Sequence, residues 1–514
     1  MRARRWMLVV WACFLIRLLF YSAMLPLWEG YDEWAHFAVV RQMAFGGHWL
    51  VSRDAAIPRD VEASLDVAPV PWELRSLPAP AVTRDAYWAL SPEDRARREA
   101  ELRAMPVAWG REDGTGPLKA YEALQPPLYY WLMVPFLWLF RAFGLLTQVL
   151  VLRFASSLLA SLVVPLIYLI GRELWGDRAP ALGSAALVAL MPGLAFDTAR
   201  VGNDCLAVVL FTLLTWLLVR AARDLEIGAV LGLGLLTKAY FLTAMPALWR
   251  GRRFRLKAAA LGTLIAGWWY IRNLRTTGTL SGLNESVVVR GTSFRELFHQ
   301  ALEINWLKAI DTIFFSHLYF GGWSSLTVRS WMYHLFYLAI LAAAVGALRE
   351  IRRPAVRILL TLYFCFWLGQ IYNVVILYAS KGLGGSMGWY MYAVVGAEAV
   401  LSIAGLRSLL PDGISRWIPA AGAAMFALLD LYTVHAVDIP YYTGMIRHRP
   451  NGSLEALHAA GLQSVGIRGA MARLSEFVPS TLLILLWLLY LLATAGALAA
   501  ACARKCDSAA KNQA

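Results

Sequence analysis

Residues 6–37 read WMLVVWACFLIRLLFYSAMLPLWEGYDEWAHF. From Trp6 to Leu27 the only charged residue is Arg17. At about 1.5 Å of rise per residue, such a run is long enough to cross a hydrocarbon core of about 30 Å as a helix. Two adjacent acids, Asp32 and Glu33, and a histidine, His36, follow the run directly. Met1 to Arg5 carries the basic flank of a signal peptide, but the apolar run is long and no A-x-A site follows it. The reading is a retained first span with a cytoplasmic N-terminus.

The rest of the chain repeats this pattern. Of 514 residues, 59% are hydrophobic and only 16% charged, against roughly a quarter charged in soluble proteins. Mean hydropathy is +0.53. Further spans are predicted at 148–170, 180–198, 204–221, 226–237, 239–249, 256–271, 332–348, 355–379, 389–406, 416–436 and 479–501. The fold class is therefore an all-α polytopic membrane protein with about twelve spans.

The net charge of +14 points to the bilayer rather than to nucleic acid. Arg250, Arg252, Arg253, Arg255 and Lys257 crowd one short segment between apolar runs, as the positive-inside rule requires. The same rule places the apolar segment 124–144. If it crossed, the Arg172/Arg178 loop and the Arg220/Arg223 loop would both lie outside. An interfacial helix, with Tyr129, Tyr130 and Trp131 at headgroup level, keeps every basic short loop inside.

Polar non-cytoplasmic segments then lie at 28–123, 272–331 and 437–478, and the first outer loop extends over 28–147. Within it, Ser91-Pro92-Glu93-Asp94 signals a capped helix start running to Met105. The runs 226–237 and 239–249 are too short to cross singly and read as a broken hairpin with Thr237-Lys238 at its tip. The tail 504–514 reads as a disordered cytoplasmic extension. Cys13, Cys205, Cys365, Cys502 and Cys506 form no disulfide framework or metal-finger spacing.

Several segments can carry chemistry. Asp32 and Glu33, partly desolvated at a span's edge, suit a general base or a metal ligand; hydrated acids that merely end the span are the plainer alternative. Gln125-Pro126-Pro127-Leu128-Tyr129-Tyr130 starts a helix rigidly, and Gln125 can hydrogen-bond a polar ligand. Asn203-Asp204 either cap a helix or face a site. Lys238 sits in an apolar stretch, where a lysine costs roughly 2.5–3.5 kcal/mol, and it suits an anionic partner. Arg272 follows the aromatic belt Trp268-Trp269-Tyr270 and either anchors the interface or clamps a phosphate. Arg17, Asp197, Glu398 and Asp430 lie in or near spans, and Arg17, Glu398 and Asp430 either pair with one another or line the bundle interior.

In this order, these segments resemble the GT-C superfamily of membrane glycosyltransferases, which includes protein O-mannosyltransferases and aminoarabinose transferases. Tyr31-Asp32-Glu33-Trp34-Ala35-His36-Phe37 is similar to their first-loop acid motif, and Gln125-Pro126-Pro127-Leu128-Tyr129-Tyr130 to a Pro-Pro-x-Tyr-Tyr element. Asn203-Asp204 matches the second-loop acid, and Leu235-Leu236-Thr237-Lys238 a lysine-bearing turn. Gly388-Trp389-Tyr390 departs from the Gly-Arg-Tyr of some relatives.

The resemblance implies a GT-C-like catalytic module over 1–290, followed by spans and outer loops over 291–503. It also implies transfer of a sugar from a polyprenyl-phosphate carrier to a lipid, glycan or protein hydroxyl, with inversion, outside a bacterial inner membrane. Asp32 would be the base, with Glu33 beside it. Lys238 and Arg272 would bind the donor phosphate. Asp204, Asn203, His36 and Gln125 would serve the acceptor, or a divalent ion (Mg or Mn) could lie between Asp32 and Asp204. The alternative is a transporter or lipid flippase, which the broken hairpin and intramembrane charges allow. Internal pseudo-symmetry and a water path to both faces would mark it.

Overall fold

The computed structural model describes residues 2–250 and 253–503; Arg252 and the tail from Arg504 lie outside them. Among the described residues the molecule is built of helices, with two minimal two-stranded sheets, Pro69–Val70 with Val82–Thr83 and Trp249–Arg250 with Arg253–Phe254. The first helix, Arg2–Met24, packs against the last, Ser480–Cys502. Arg17 crosses this contact and meets Asp430 at 2.5 Å, while Tyr21 and Tyr490 donate to the same carboxylate at 2.8 and 2.6 Å. A charge inside a bundle persists when it is paired and hydrogen-bonded in this way.

Seven helices among the described residues are long and apolar enough to cross, or eight if the pair Arg178–Ala189 and Pro192–Thr198, bent by 61°, forms one broken span. The expected twelve is not reached, and the reason is length and charge. The Asp204–Val219 and Asp224–Leu235 helices have 16 and 12 residues, about 24 and 18 Å. The Leu256–Thr277 helix has 22 residues but carries Lys257, Arg272 and Arg275.

Two local expectations concern the site directly. The hairpin breaks where expected: the Asp224–Leu235 helix stops, Lys238 is extended (φ −151°, ψ 140°), and a 3₁₀ segment, Ala239–Leu248, follows. The Leu128–Leu139 helix has 12 residues, about 18 Å, which is short of a crossing. Its tyrosines do not face an interface as expected, however. Tyr129 and Tyr130 are fully buried, because their hydroxyls find partners inside: Tyr129 on Ser156 at 2.8 Å, Tyr130 on the Glu122 carbonyl at 3.1 Å. Only Trp131 remains part-exposed, its ring tilted against that of Trp49 with centroids 4.2 Å apart.

The polar segments fold into a cap of short helices over one end of the bundle. Glu33–Gly46 packs on the Leu128–Leu139 helix. Pro92–Arg103 begins as the sequence predicts, with the Asp94 N–H donating to Ser91 Oγ at 3.0 Å; the Asp94 carboxylate accepts from the Ser91 hydroxyl instead of closing the box. Trp88 donates to the Tyr442 carbonyl at 3.1 Å and Ser324 to Glu29 at 3.0 Å, so all three polar segments are tied together.

Candidate active site

Asp32 is presented by a backbone that its neighbours hold in place. Where the first helix ends, Arg153 accepts nothing and donates everywhere: to the carbonyls of Ser22, Leu25 and Pro26 at 3.0, 2.5 and 2.8 Å, and to both Glu33 oxygens at 2.7 and 2.6 Å. The Val201 N–H adds a third bond to Glu33 at 3.0 Å. Glu33 is therefore a pin, fully buried and fully committed. On the other side, Tyr31 stacks on Trp389 with centroids 3.9 Å apart, and its hydroxyl donates to the Phe320 carbonyl. Between these anchors Asp32 takes a left-handed conformation, φ 54° and ψ 18°, which costs a non-glycine residue about 1–2 kcal/mol. The turn sends its carboxylate to the Tyr121 hydroxyl at 2.5 Å.

A chain of alternating charges lies alongside. Arg200 Nη2 bonds Asp197 at 2.7 Å and Asp204 at 2.8 Å, and the other Asp204 oxygen meets Lys238 Nζ at 2.7 Å. Lys238 sits 5.5 Å from the Tyr390 ring and 5.9 Å from that of Tyr240. Arg200 needs the space beside two glycines. A Cβ on Gly30 would lie 2.6 Å from Arg200 Cδ, and one on Gly202 only 1.9 Å from Nη1.

The third group is Glu122, His36 and Tyr130. Burial, then the neighbouring Asp32 charge, pushes the Glu122 carboxyl up to about 8. Burial, then Arg200 and Lys238, pushes the His36 imidazole well below its ordinary range. Their 3.5 Å contact is thus between neutral partners at pH 7, and His36 Nδ1 pairs with the Tyr130 hydroxyl at 2.9 Å. Asp32 itself is raised by burial, against the pull of Tyr121, Arg200 and Lys238. A desolvated carboxylate held beside cations can accept a proton and is shielded from bulk water.

Of the residues singled out in the sequence, Asp32, His36, Asp204 and Lys238 lie in this one electrostatic cluster. Asn203 is buried behind it, with Nδ2 3.5 Å from the Thr237 carbonyl and no cap made by its side chain. Gln125 is half-buried at the turn after Glu122. Arg272 rests on the Trp269 ring at 5.0 Å and bonds Asn273 at 3.4 Å. Sequence reading held Tyr121, Glu122 and Arg200 inside candidate segments but gave them no role, and treated Trp389 and Tyr390 only as a departure. The spacing Asp197, Arg200, Asp204 was the available signal, since opposite charges this close in sequence can meet across the short turn between the Pro192–Thr198 and Asp204–Val219 helices.

A divalent ion between Asp32 and Asp204 would have to displace a lysine and an arginine from Asp204. Among the described residues no group of three or more His, Cys, Asp or Glu is arranged so that it could hold a metal ion. The donor set does not fit such an ion in this arrangement.

Residues 124–267 match the family described as dolichyl-phosphate-mannose-protein mannosyltransferase. No curated protein matches the chain. Two solved structures of ArnT from Cupriavidus metallidurans are similar. The one bound to undecaprenyl phosphate is 14% identical, with 96% of this chain and 75% of that chain covered and a TM-score of 0.45. The apo form is 13% identical, with 98% and 76% covered and a TM-score of 0.47. The chain resembles the membrane glycosyltransferases through the family match over 124–267, the stretch that supplies Tyr130, Arg200, Asp204 and Lys238 to the site.

Proposed function

We propose that this protein transfers a sugar from a polyprenyl-phosphate carrier to an acceptor hydroxyl, on the side of the membrane that carries the 28–123 segment. The single observation that carries the reading is the burial of Asp32 within electrostatic reach of the Lys238–Asp204–Arg200 chain. The acceptor hydroxyl gives its proton to Asp32 as its oxygen bonds to the anomeric carbon. The bond to the phosphate breaks on the opposite face, so the configuration inverts, and the electron pair leaves on the phosphate. Lys238 meets the charge that develops there, with Arg200 behind it and Asp204 holding both cations until the donor arrives. Arg272, on the Trp269 ring, is the second cation proposed for the donor phosphate. Glu33 positions Asp32 through its grip on Arg153. No step requires a metal ion.

The test is transfer by the purified chain in lipid from polyprenyl-phosphate sugars. Asp32→Asn keeps the shape and removes the base, and a loss of about 10²–10⁴ in rate is expected. Lys238→Ala should weaken transfer as well while leaving the protein folded. Unchanged transfer in the Asp32→Asn protein would overturn the mechanism.

A further inference from the structure

A second cationic site lies away from Lys238, in a small open cleft of about 80 Å³ between the Pro92–Arg103 helix and the 437–478 segment. Its floor includes Pro26 and Leu146, where the first helix ends and the Leu145–Ser161 helix begins. The floor is therefore at the level where two spans meet the polar cap. Arg84, Arg98, Arg103 and Arg473 reach the cleft, against Glu99 and Glu476.

The carboxylates offset these arginines only in part: Glu476 is within electrostatic reach of Arg84 and Arg103, but its hydrogen bond comes from elsewhere. Glu99 accepts from the Tyr87 hydroxyl at 2.7 Å, and Glu476 from the Leu27 N–H at 3.1 Å. Arg84 faces Glu29 at 3.5 Å. The other three are held by carbonyls alone: Arg98 on Asp66 and Pro80 at 2.7 and 2.8 Å, Arg103 on Ser475 at 3.3 Å, Arg473 on Thr443 at 2.6 Å. Among the described residues none of these three forms an ion pair. Arg473 also shares the Trp88 ring with Arg95, at 4.8 and 5.5 Å. Two guanidinium groups on one indole repel each other, and burial and Arg95 together lower the Arg473 pKa. Carbonyl bonds orient an arginine fork but leave its charge to be met from outside.

We propose that this cleft binds the phosphate of an amphiphile, with Arg103 and Arg473 on the phosphate oxygens and the apolar body of the ligand passing Pro26 and Leu146 into the bilayer. A phosphate offers several oxygens to forks arriving from two different segments, which a single carboxylate does not. The apolar floor favours a lipid-borne phosphate over a free one. This site is separate from the proposed donor site and its test does not depend on transfer.

The full chain in detergent is titrated with dioleoyl phosphatidic acid, and bound lipids are counted by native mass spectrometry. Affinity should fall roughly tenfold or more in the Arg103→Gln/Arg473→Gln double variant, as expected for losing two charge-assisted bonds. It should recover in part in Arg103→Lys/Arg473→Lys and persist in Lys238→Ala. Dioleoyl phosphatidylcholine should not compete. A double glutamine variant that unfolds early in a thermal melt is replaced by Arg103→Lys/Arg473→Gln, with the same expectation at smaller amplitude. Unchanged affinity in the folded arginine variants, or loss only in Lys238→Ala, overturns the site. Displacement by inorganic phosphate at equal concentration overturns the lipid and leaves a free anion as the ligand.

Discussion

At the scale of single residues, the strongest constraint on Asp32 is not a contact of its own but the Glu33–Arg153 pair beside it. Both members are buried and bonded in a bidentate manner. Removing one partner strands a charge, whereas removing both costs less. Arg153→Met should destabilise the protein by about 3–5 kcal/mol, and Arg153→Met/Glu33→Gln by clearly less, as read from unfolding in detergent. Equal losses would mean that Arg153 acts through the three carbonyls and not through Glu33. Glu122 gives a second prediction, on pH. Its carboxyl ionises near 4.5 when exposed but near 8 in the fold. Between those values the folded state holds the extra proton, so stability falls as pH rises through the window and levels off above 8. Glu122→Gln should remove its share of that slope, at most about 1.4 kcal/mol per pH unit. Melting curves of the two proteins that stay parallel from pH 5 to 8 would count against the buried, protonated acid.

At the scale of elements, what the sequence made legible was whatever depends on neighbours along the chain. The first helix, the Ser91 cap and the break before Lys238 each follow from a run of side chains or from one special residue. Lys238 announced itself because a lysine in an apolar run has few escapes. The aromatic run at 129–131 misled, since Tyr at the start of an apolar helix reads equally as an interface belt or as a buried donor. Only the third dimension, which brings Ser156 and the Glu122 carbonyl to those hydroxyls, separates the two. Arg200 was silent for the same reason. Its partners Asp197 and Asp204 are near in sequence, but the space it occupies is created by Gly30, far away in the chain. The Gly388-Trp389-Tyr390 departure likewise became meaningful once Trp389 was seen against Tyr31. There the chain stacks a ring that braces the residue before Asp32.

At the scale of the whole molecule, the cap is one body made from three polar segments, and its cohesion depends on a few buried polar joints. The joint between the first and third segments centres on Asp85. Its carboxylate accepts from the His448 N–H at 2.7 Å, from His448 Nδ1 at 3.0 Å and from the Tyr441 hydroxyl at 2.8 Å, while Trp72 stacks on the His448 ring at 4.4 Å. Burial raises the Asp85 pKa, but the bonds from His448 and Tyr441 outweigh it and hold the carboxyl below its ordinary value. The joint is therefore intact above the ordinary carboxylate range and is lost only as pH falls through the depressed value. Asp85→Asn keeps one acceptor and turns the other into a donor facing donors, which should cost about 2–3 kcal/mol locally. Because the spans pack without Asp85, the loss should appear as faster hydrogen exchange across residues 440–450, with the Arg2–Met24 and Ser480–Cys502 helices unchanged. The cleft with Arg103 and Arg473 is built across this same pair of segments, so the variant should also bind lipid phosphate more weakly. Retained exchange protection at 440–450 in Asp85→Asn would show that Trp88 and its bond to Tyr442 suffice to hold the cap together.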